Sequence, residues 1–222
     1  MIKINDYKGT WIVLEGGDGS GTSTALKKLH NWAYELHKSH LLVTTREPNE
    51  IDGAGKNIRR MFKGELDIGS TGQTLADLFV ANRYSHMQNV VLPATELGLV
   101  VLQDRGMYST IAYQGVQGVP HDQIMTMHED MPAVPDAVIL FDVDFEVAWE
   151  RMQSRAEEQE EAFDKDPGFQ RKVNDAYKAL PEVMERLAPD HPINVIDANR
   201  TVLEVVAQCI DIIDPLLPYN KK

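Results

Sequence analysis

Between the apolar run Trp11–Leu14 and a segment with apolar residues at helical spacing (Leu26, Leu29, Trp32 and Leu36 within Ser23–Lys38), the chain reads Glu15-Gly16-Gly17-Asp18-Gly19-Ser20-Gly21-Thr22-Ser23-Thr24. A buried strand that enters a glycine-rich turn and leaves as a helix has one well-known use. The glycines let successive backbone N–H groups curl around a phosphate, and the helix N-terminus adds positive potential. Gly16 and Gly21 have the spacing of the pattern G-x-x-x-x-G-K-S/T, with Ser23 as the hydroxyl that reaches Mg²⁺. Position 22 departs from it, being threonine where the pattern has lysine. A glycine-rich turn with no ligand is the plain alternative for the loop on its own.

The rest of the chain repeats this alternation. Short strand-like runs occur at Leu41–Thr45, Val100–Gln103, Ala137–Asp142 and Asn194–Ile196, and helical patterns at Thr74 to about Val91 and at Val202–Ile213. Strands separated by helices imply βαβ units and a parallel sheet covered on both faces. Ligands of such sheets bind beyond the carboxyl ends of the strands, so the residues there are the candidates for function. With 222 residues and no repeat or linker, a single domain is expected.

Composition narrows the classes. A net charge of −12 disfavours coating a nucleic acid. No apolar stretch reaches the roughly 18 residues of a membrane span, and the charged start, Met1–Lys8, does not read as a secretory signal. The single cysteine, Cys209, can form neither an internal disulfide nor a zinc site and reads as a core residue. A cytoplasmic location is expected. An acidic chain can still bind a small anion if its arginines converge on one cleft.

They lie where that would require. The second strand ends in Arg46-Glu47-Pro48, where Pro48 biases Glu47 towards an extended backbone and Arg46 can point into the cleft as a phosphate donor. Phe79 and Arg83, four residues apart, share a helix face; together they could stack on a flat base and bond its edge, or equally be a core ring beside a solvent arginine. The third strand runs into Gln103-Asp104-Arg105, a carboxylate placed to hold Mg²⁺ or its water and a second phosphate clamp. Ser109, Thr110, Tyr113 and Gln114 follow on a helical segment. The fourth strand ends in Asp142-Val143-Asp144, and Arg151 and Arg155 come next at helical spacing, before the acidic run Glu157 to Glu161, which reads plainly as a solvated face.

Taken in order, these segments resemble the thymidylate kinase family from the phosphate loop to the end of the chain. The family pattern F-E-G-x-D-G-x-G-K-S/T-T is similar to Leu14–Thr24; R-E-P matches Arg46–Pro48; L-F-x-A-N/D-R matches Leu78–Arg83; D-R followed by S-x-x-A-Y-Q matches Asp104-Arg105 and Ser109, Ala112, Tyr113 and Gln114; V-I-D-A-S/N matches Val195–Asn199. The resemblance implies a P-loop nucleoside-monophosphate kinase fold, α/β with a five-stranded parallel sheet flanked by helices on both faces, and a lid at about residues 151–166. It implies transfer of the γ-phosphoryl group of ATP to dTMP with Mg²⁺, and a homodimer. Gly16, Gly17, Asp18, Gly19, Ser20, Gly21, Thr22, Ser23 and Thr24 would bind ATP, and Ser23 with Asp104 would organise Mg²⁺. Phe79 would stack on thymine and Arg83 bond its edge. Arg46 and Arg105 would hold the acceptor phosphate, and Ser109, Thr110, Tyr113 and Gln114 would line the acceptor, Tyr113 under the deoxyribose. Asp18, Arg105, Arg151 and Arg155 would serve the transfer itself.

Three departures keep alternatives open. Without a lysine at Thr22 one preorganised donor is lost, which by analogy costs about 3 kcal/mol of transition-state stabilisation; Arg151 or Arg155 is the candidate substitute. Gly106 stands where the family has an aromatic residue or histidine, and is expected to leave room near the acceptor sugar or base; with Thr110 it motivates a modified deoxypyrimidine monophosphate as substrate. The acidic lid, and Thr22 itself, motivate a nucleotide-binding protein of weak catalysis. A deoxynucleoside kinase fits less well, since Arg46 and Arg105 suit an acceptor that already bears phosphate.

Overall fold

The computed structural model describes residues 7–36, 41–67, 69, 71–154 and 166–218. Strands β1 (Thr10–Glu15), β2 (Leu42–Arg46), β3 (Val100–Asp104), β4 (Ala137–Asp142) and β5 (Ile193–Asp197) form one sheet of order β2-β3-β1-β4-β5, with every pair parallel. Side chains alternate across it. Ile12, Leu14, Leu102, Ile139 and Phe141 pack on one face under helices α1 (Thr22–Glu35) and α9 (Val202–Ile213). Trp11, Val13, Val101, Val138 and Leu140 belong to the opposite face. That face is covered by α3 (Gly72–His86), α4 (Leu92–Glu96), α5 (Met107–Val116) and α8 (Pro167–Leu187). A period of two within each strand thus feeds two helical layers from one sheet.

The remaining helices are α2 (Gly53–Phe62), α6 (His121–Met127) and α7 (Phe145–Ser154). The helix expected to stop near Val91 instead passes through a π-helical turn, Met87–Val91, into α4. Pro93 is tolerated because it falls in the first turn of α4. At α9, Thr201 and Glu204 form a reciprocal capping box that fixes where the helix starts.

Topology places the cleft. From β1 the chain moves past β3 to reach β2, whereas from β3 it moves past β1 to reach β4. The loops after these two adjacent strands therefore diverge and open a crevice at their carboxyl ends. Leu14 O of β1 accepts from Arg105 N across it (2.9 Å), and Asp104 O of β3 accepts from Glu47 N (3.0 Å), so the strand-end loops stay in register with the sheet.

Candidate active site

The glycine-rich loop lies at that crevice. Gly19 has φ +80°, and a Cβ there would lie 2.2 Å from the Ala148 carbonyl of α7, so close approach as well as backbone conformation demands glycine. Gly21 precedes α1 at φ 100° and supplies no side-chain cap. The first N–H groups of the helix are thereby left for an anion rather than for the chain. Thr22 is the first residue of α1 and is buried. Asp18 bonds the Arg105 guanidinium at one oxygen, and Gln170 Nε2 of α8 donates to the other (3.1 Å).

Ser23 Oγ donates to Asp104 Oδ2 at 2.5 Å. Asp104 is buried, and among the described residues its Oδ1 has no hydrogen-bond partner. A buried carboxylate oxygen without a donor is costly. Together the hydroxyl and carboxylate make a set of hard oxygen ligands suited to a small divalent cation.

Across the crevice the polar groups are nearly all spent on one another. Arg83 is buried: Nε donates to Glu47 Oε2 (2.7 Å), Nη2 to Gly106 O (2.8 Å) and Thr110 Oγ1 (3.2 Å), and Nη1 to His128 Nε2 (2.5 Å). Glu47 Oε1 also takes His86 Nδ1 (3.1 Å) and Gln103 Nε2 (3.0 Å). Burial alone would raise the Glu47 carboxyl, but Arg83 and His86 outweigh it and hold it below the ordinary range. His128 is pushed down to about 3 by burial and by the Arg83 charge. It is neutral: Nδ1–H donates to Ile124 O (2.7 Å), and Nε2 accepts from Arg83. Phe79 is half-buried, on the same helix as Arg83, with its ring 6.4 Å from that of Phe62.

Arg105 lies between the two halves. It has φ 68°, the left-handed region, and its guanidinium carbon lies 5.2 Å from the centre of the Tyr113 ring. Glu15, fully buried at the end of β1, accepts from Gly106 N (2.6 Å), from Ser109 Oγ (2.7 Å) and from Tyr177 OH (3.3 Å). Burial pushes its carboxyl up to about 7, against the hydrogen bonds from Ser109 and Gly106 and the charges of Arg105 and Arg83.

The crevice therefore gathers Gly16 to Ser23, Arg83, Asp104, Arg105 and Tyr113. Other expected residues are otherwise engaged. Ser109 spends its hydroxyl on Glu15 and Tyr177, and buried Gln114 donates to Gln117. Arg46 is exposed, on an open depression it shares with Leu26, Thr45 and Pro48. Arg151 Nη1 donates to Ala198 O (2.9 Å), just past the end of β5. Arg155 and most of the expected lid lie outside the described residues. The room expected at Gly106 is already filled, for a Cβ there would meet Val13 Cγ1 at 3.3 Å, Gln103 Nε2 at 3.4 Å and Glu15 Oε1 at 3.5 Å.

Several residues of the site carry no mark at the level of sequence motifs. Glu15, Glu47 and Gln103 stand inside motifs whose spacing assigns them no role; His86, His128, Gln170 and Tyr177 stand outside them. The signal for the last two was the spacing Val173, Tyr177, Leu180, Met184, all buried on one face of α8.

Residues 14–209 match the thymidylate kinase family. The chain is 34% identical over 218 residues to a thymidylate kinase of Mycoplasma capricolum, covering 96% of this chain and 98% of that protein. It is 35% identical over 218 residues to one of Caldicellulosiruptor saccharolyticus, covering 95% and 98%. The crystal structure of thymidylate kinase from Ehrlichia chaffeensis superposes with a TM-score of 0.69 over 93% of this chain and 98% of that one, at 24% identity.

Proposed function

The chain belongs to the thymidylate kinase family, and on that premise we propose how its residues divide the work of phosphoryl transfer. It is a nucleoside-monophosphate kinase, and its reaction moves the γ-phosphoryl group of ATP to a phosphate oxygen of dTMP, giving ADP and dTDP. Such a transfer needs no covalent intermediate; positioning and charge neutralisation supply the catalysis.

On the donor side, the N–H groups of Gly16 to Ser23 cradle the ATP phosphates. Ser23 and Asp104 hold Mg²⁺, which when bound neutralises charge on those phosphates; the partnerless Asp104 oxygen supports this. On the acceptor side, Phe79 stacks on the base, Arg83 has one Nη1–H left for its edge, and Arg105 holds the phosphate, with exposed Arg46 at the neighbouring end of β2 as the second clamp to test. The observation that carries the reading is Arg105 at the crevice, beside the carboxylate of Asp18 and the ring of Tyr113. A cation there suits an acceptor that already carries phosphate.

Thr22 favours a second reading, slow turnover. Arg151, which donates to the Ala198 carbonyl, and Arg155, both of the expected lid, are the substitutes to test. A single domain with that lid, the homodimer and the cytoplasmic location remain part of the proposal; no helix among the described residues is long and apolar enough to cross a membrane.

The test is steady-state ADP release with ATP and Mg²⁺, using dTMP or thymidine as acceptor. Turnover is expected with dTMP. Faster turnover with thymidine would replace the reading with a nucleoside kinase, and tight binding of ATP and dTMP without ADP release would leave only a binding protein.

A further inference from the structure

Arg105 is the one non-glycine residue with positive φ among the described residues, at 68°. Side chains avoid that region, because Cβ crowds the backbone. Such a conformation persists only where its surroundings over-determine it. Here the peptide unit that follows Arg105 is gripped at both ends. Its carbonyl accepts from Gln103 Nε2 at 2.8 Å, and its N–H, that of Gly106, donates to Glu15 Oε1 at 2.6 Å.

Gln103 is fully buried, and its amide is satisfied in three directions. Nε2 donates to Arg105 O and to Glu47 Oε1 (3.0 Å), while Oε1 accepts from Trp11 Nε1 (3.0 Å). That environment fixes which way the amide points. Turned over, its oxygen would face a carbonyl and a carboxylate, and its NH₂ would face the indole N–H. The same nitrogen thus touches the backbone of the arginine at the phosphate end of the cleft and the carboxylate that orients Arg83 at the other.

We infer that Gln103 is a positioning residue for acceptor binding: its amide holds Arg105 in the left-handed conformation and sets its distance from Arg83, so that phosphate and base are gripped at a fixed separation. Gly106 is the complement of this arrangement, since a side chain there would press on the same Gln103 nitrogen. Gln103 touches no reacting atom. Its loss frees the Arg105 backbone to relax to negative φ and swings the guanidinium off the acceptor phosphate.

The inference rests on reading Arg105 as the acceptor-phosphate clamp, so the experiment tests both. KM for dTMP and for ATP are measured separately, with thermal melts, for Gln103→Met, Arg105→Ala and Trp11→Phe. Gln103→Met keeps the volume and removes both donors; it is expected to raise the dTMP KM at least tenfold and leave the ATP KM within twofold. Trp11→Phe removes only the bond on the far side of Gln103 and is expected to leave the dTMP KM within twofold. Should Gln103→Met fail to fold, Gln103→Asn, whose shorter amide cannot span Glu47 and Arg105 together, is expected to give the same split. An unchanged dTMP KM in Arg105→Ala overturns the clamp itself. A raised dTMP KM in Arg105→Ala with none in the folded Gln103 variant overturns the role of Gln103 alone. Equal rises for both substrates, or a rise in Trp11→Phe matching that of Gln103→Met, would reduce Gln103 to a packing residue and overturn the inference.

Discussion

On the acceptor side of the cleft, Arg83, Glu47, His128 and Gln103 satisfy one another within a buried network. On the donor side the groups wait for something else: Asp104 Oδ1 and Ser20 Oγ have no partner among the described residues, and Gly21 leaves the start of α1 uncapped. The acceptor half is preassembled by folding, and its polar groups contribute to stability. On the proposed reading the donor half is completed by its ligands, and its polar groups contribute mainly to turnover. Substitutions on the two sides should therefore separate into losses of stability and changes of rate.

The largest effect is expected from Arg83→Met. Removing the guanidinium from a buried ion pair leaves Glu47 with only His86 and Gln103 as donors and leaves Gly106 O and His128 Nε2 without theirs, a loss of about 3–5 kcal/mol, or a fall in Tm of roughly 10 °C for a chain of this size. A thermal melt checks it. If the melt moved no further than that of a donor-side variant, the acceptor network would not be the stabilising half.

Glu15 lies at the boundary, and its effect should depend on pH. Its carboxyl is raised from 4.5 to about 7 by burial, so between these values the folded state holds a proton that the unfolded state has lost. Stability is fully present below about pH 4.5 and is lost as pH rises through 7, by about 3 kcal/mol in all. Glu15→Gln removes that dependence. The variant should gain on the wild type in Tm as pH rises from 5 to 8, and parallel curves would show that Glu15 is not a source of the loss. His128 works in the opposite sense: its proton affinity is depressed to about 3, so stability falls as pH drops below the ordinary histidine value.

For the donor side, Thr22→Lys is the sharpest probe. Restoring one donor to the loop should raise kcat by roughly 100-fold, an effect on rate that outweighs any change in Tm caused by enlarging the buried Thr22. An unchanged kcat would mean that another cation already serves the phosphates, and Arg155→Ala would then be expected to lower it by a similar factor.

This contrast also explains what could be read in advance. All five strands were legible as short apolar runs, most plainly β1, β3 and β4, which are buried almost throughout, while β2 and β5 at the sheet edges are only partly buried; α9 was legible from Val202 to Ile213. The placement of the glycine-rich loop and of Asp104-Arg105 at strand ends was legible because it is local: glycines in one turn, a carboxylate after one strand. The acceptor network was not, because its bonds join residues far apart in the chain, Gln103 to Trp11, Arg83 to His128 and Tyr177 to Glu15. No spacing rule brings such pairs together. Arg151 shows the converse limit, for its place on a helix after β4 was readable but the carbonyl it bonds, just past the end of β5, was not.

The smallest expected effect, from Gly106→Ala, decides what the glycine is for. Its φ of −160° is open to any residue, so backbone strain is not at issue. The added methyl would sit 3.3 to 3.5 Å from Val13, Gln103 and Glu15, a tight fit that costs about 1 kcal/mol as overpacking. If Gly106 belongs to the preassembled half, the variant loses a few degrees in Tm and raises the dTMP KM modestly, while its relative rates with dTMP and with 5-substituted deoxyuridine monophosphates stay the same. A methyl that instead selectively excluded the bulkier bases would place Gly106 in the base pocket. The modified-pyrimidine reading would then regain its motive, because the space beside Gly106 would belong to the substrate rather than to Gln103.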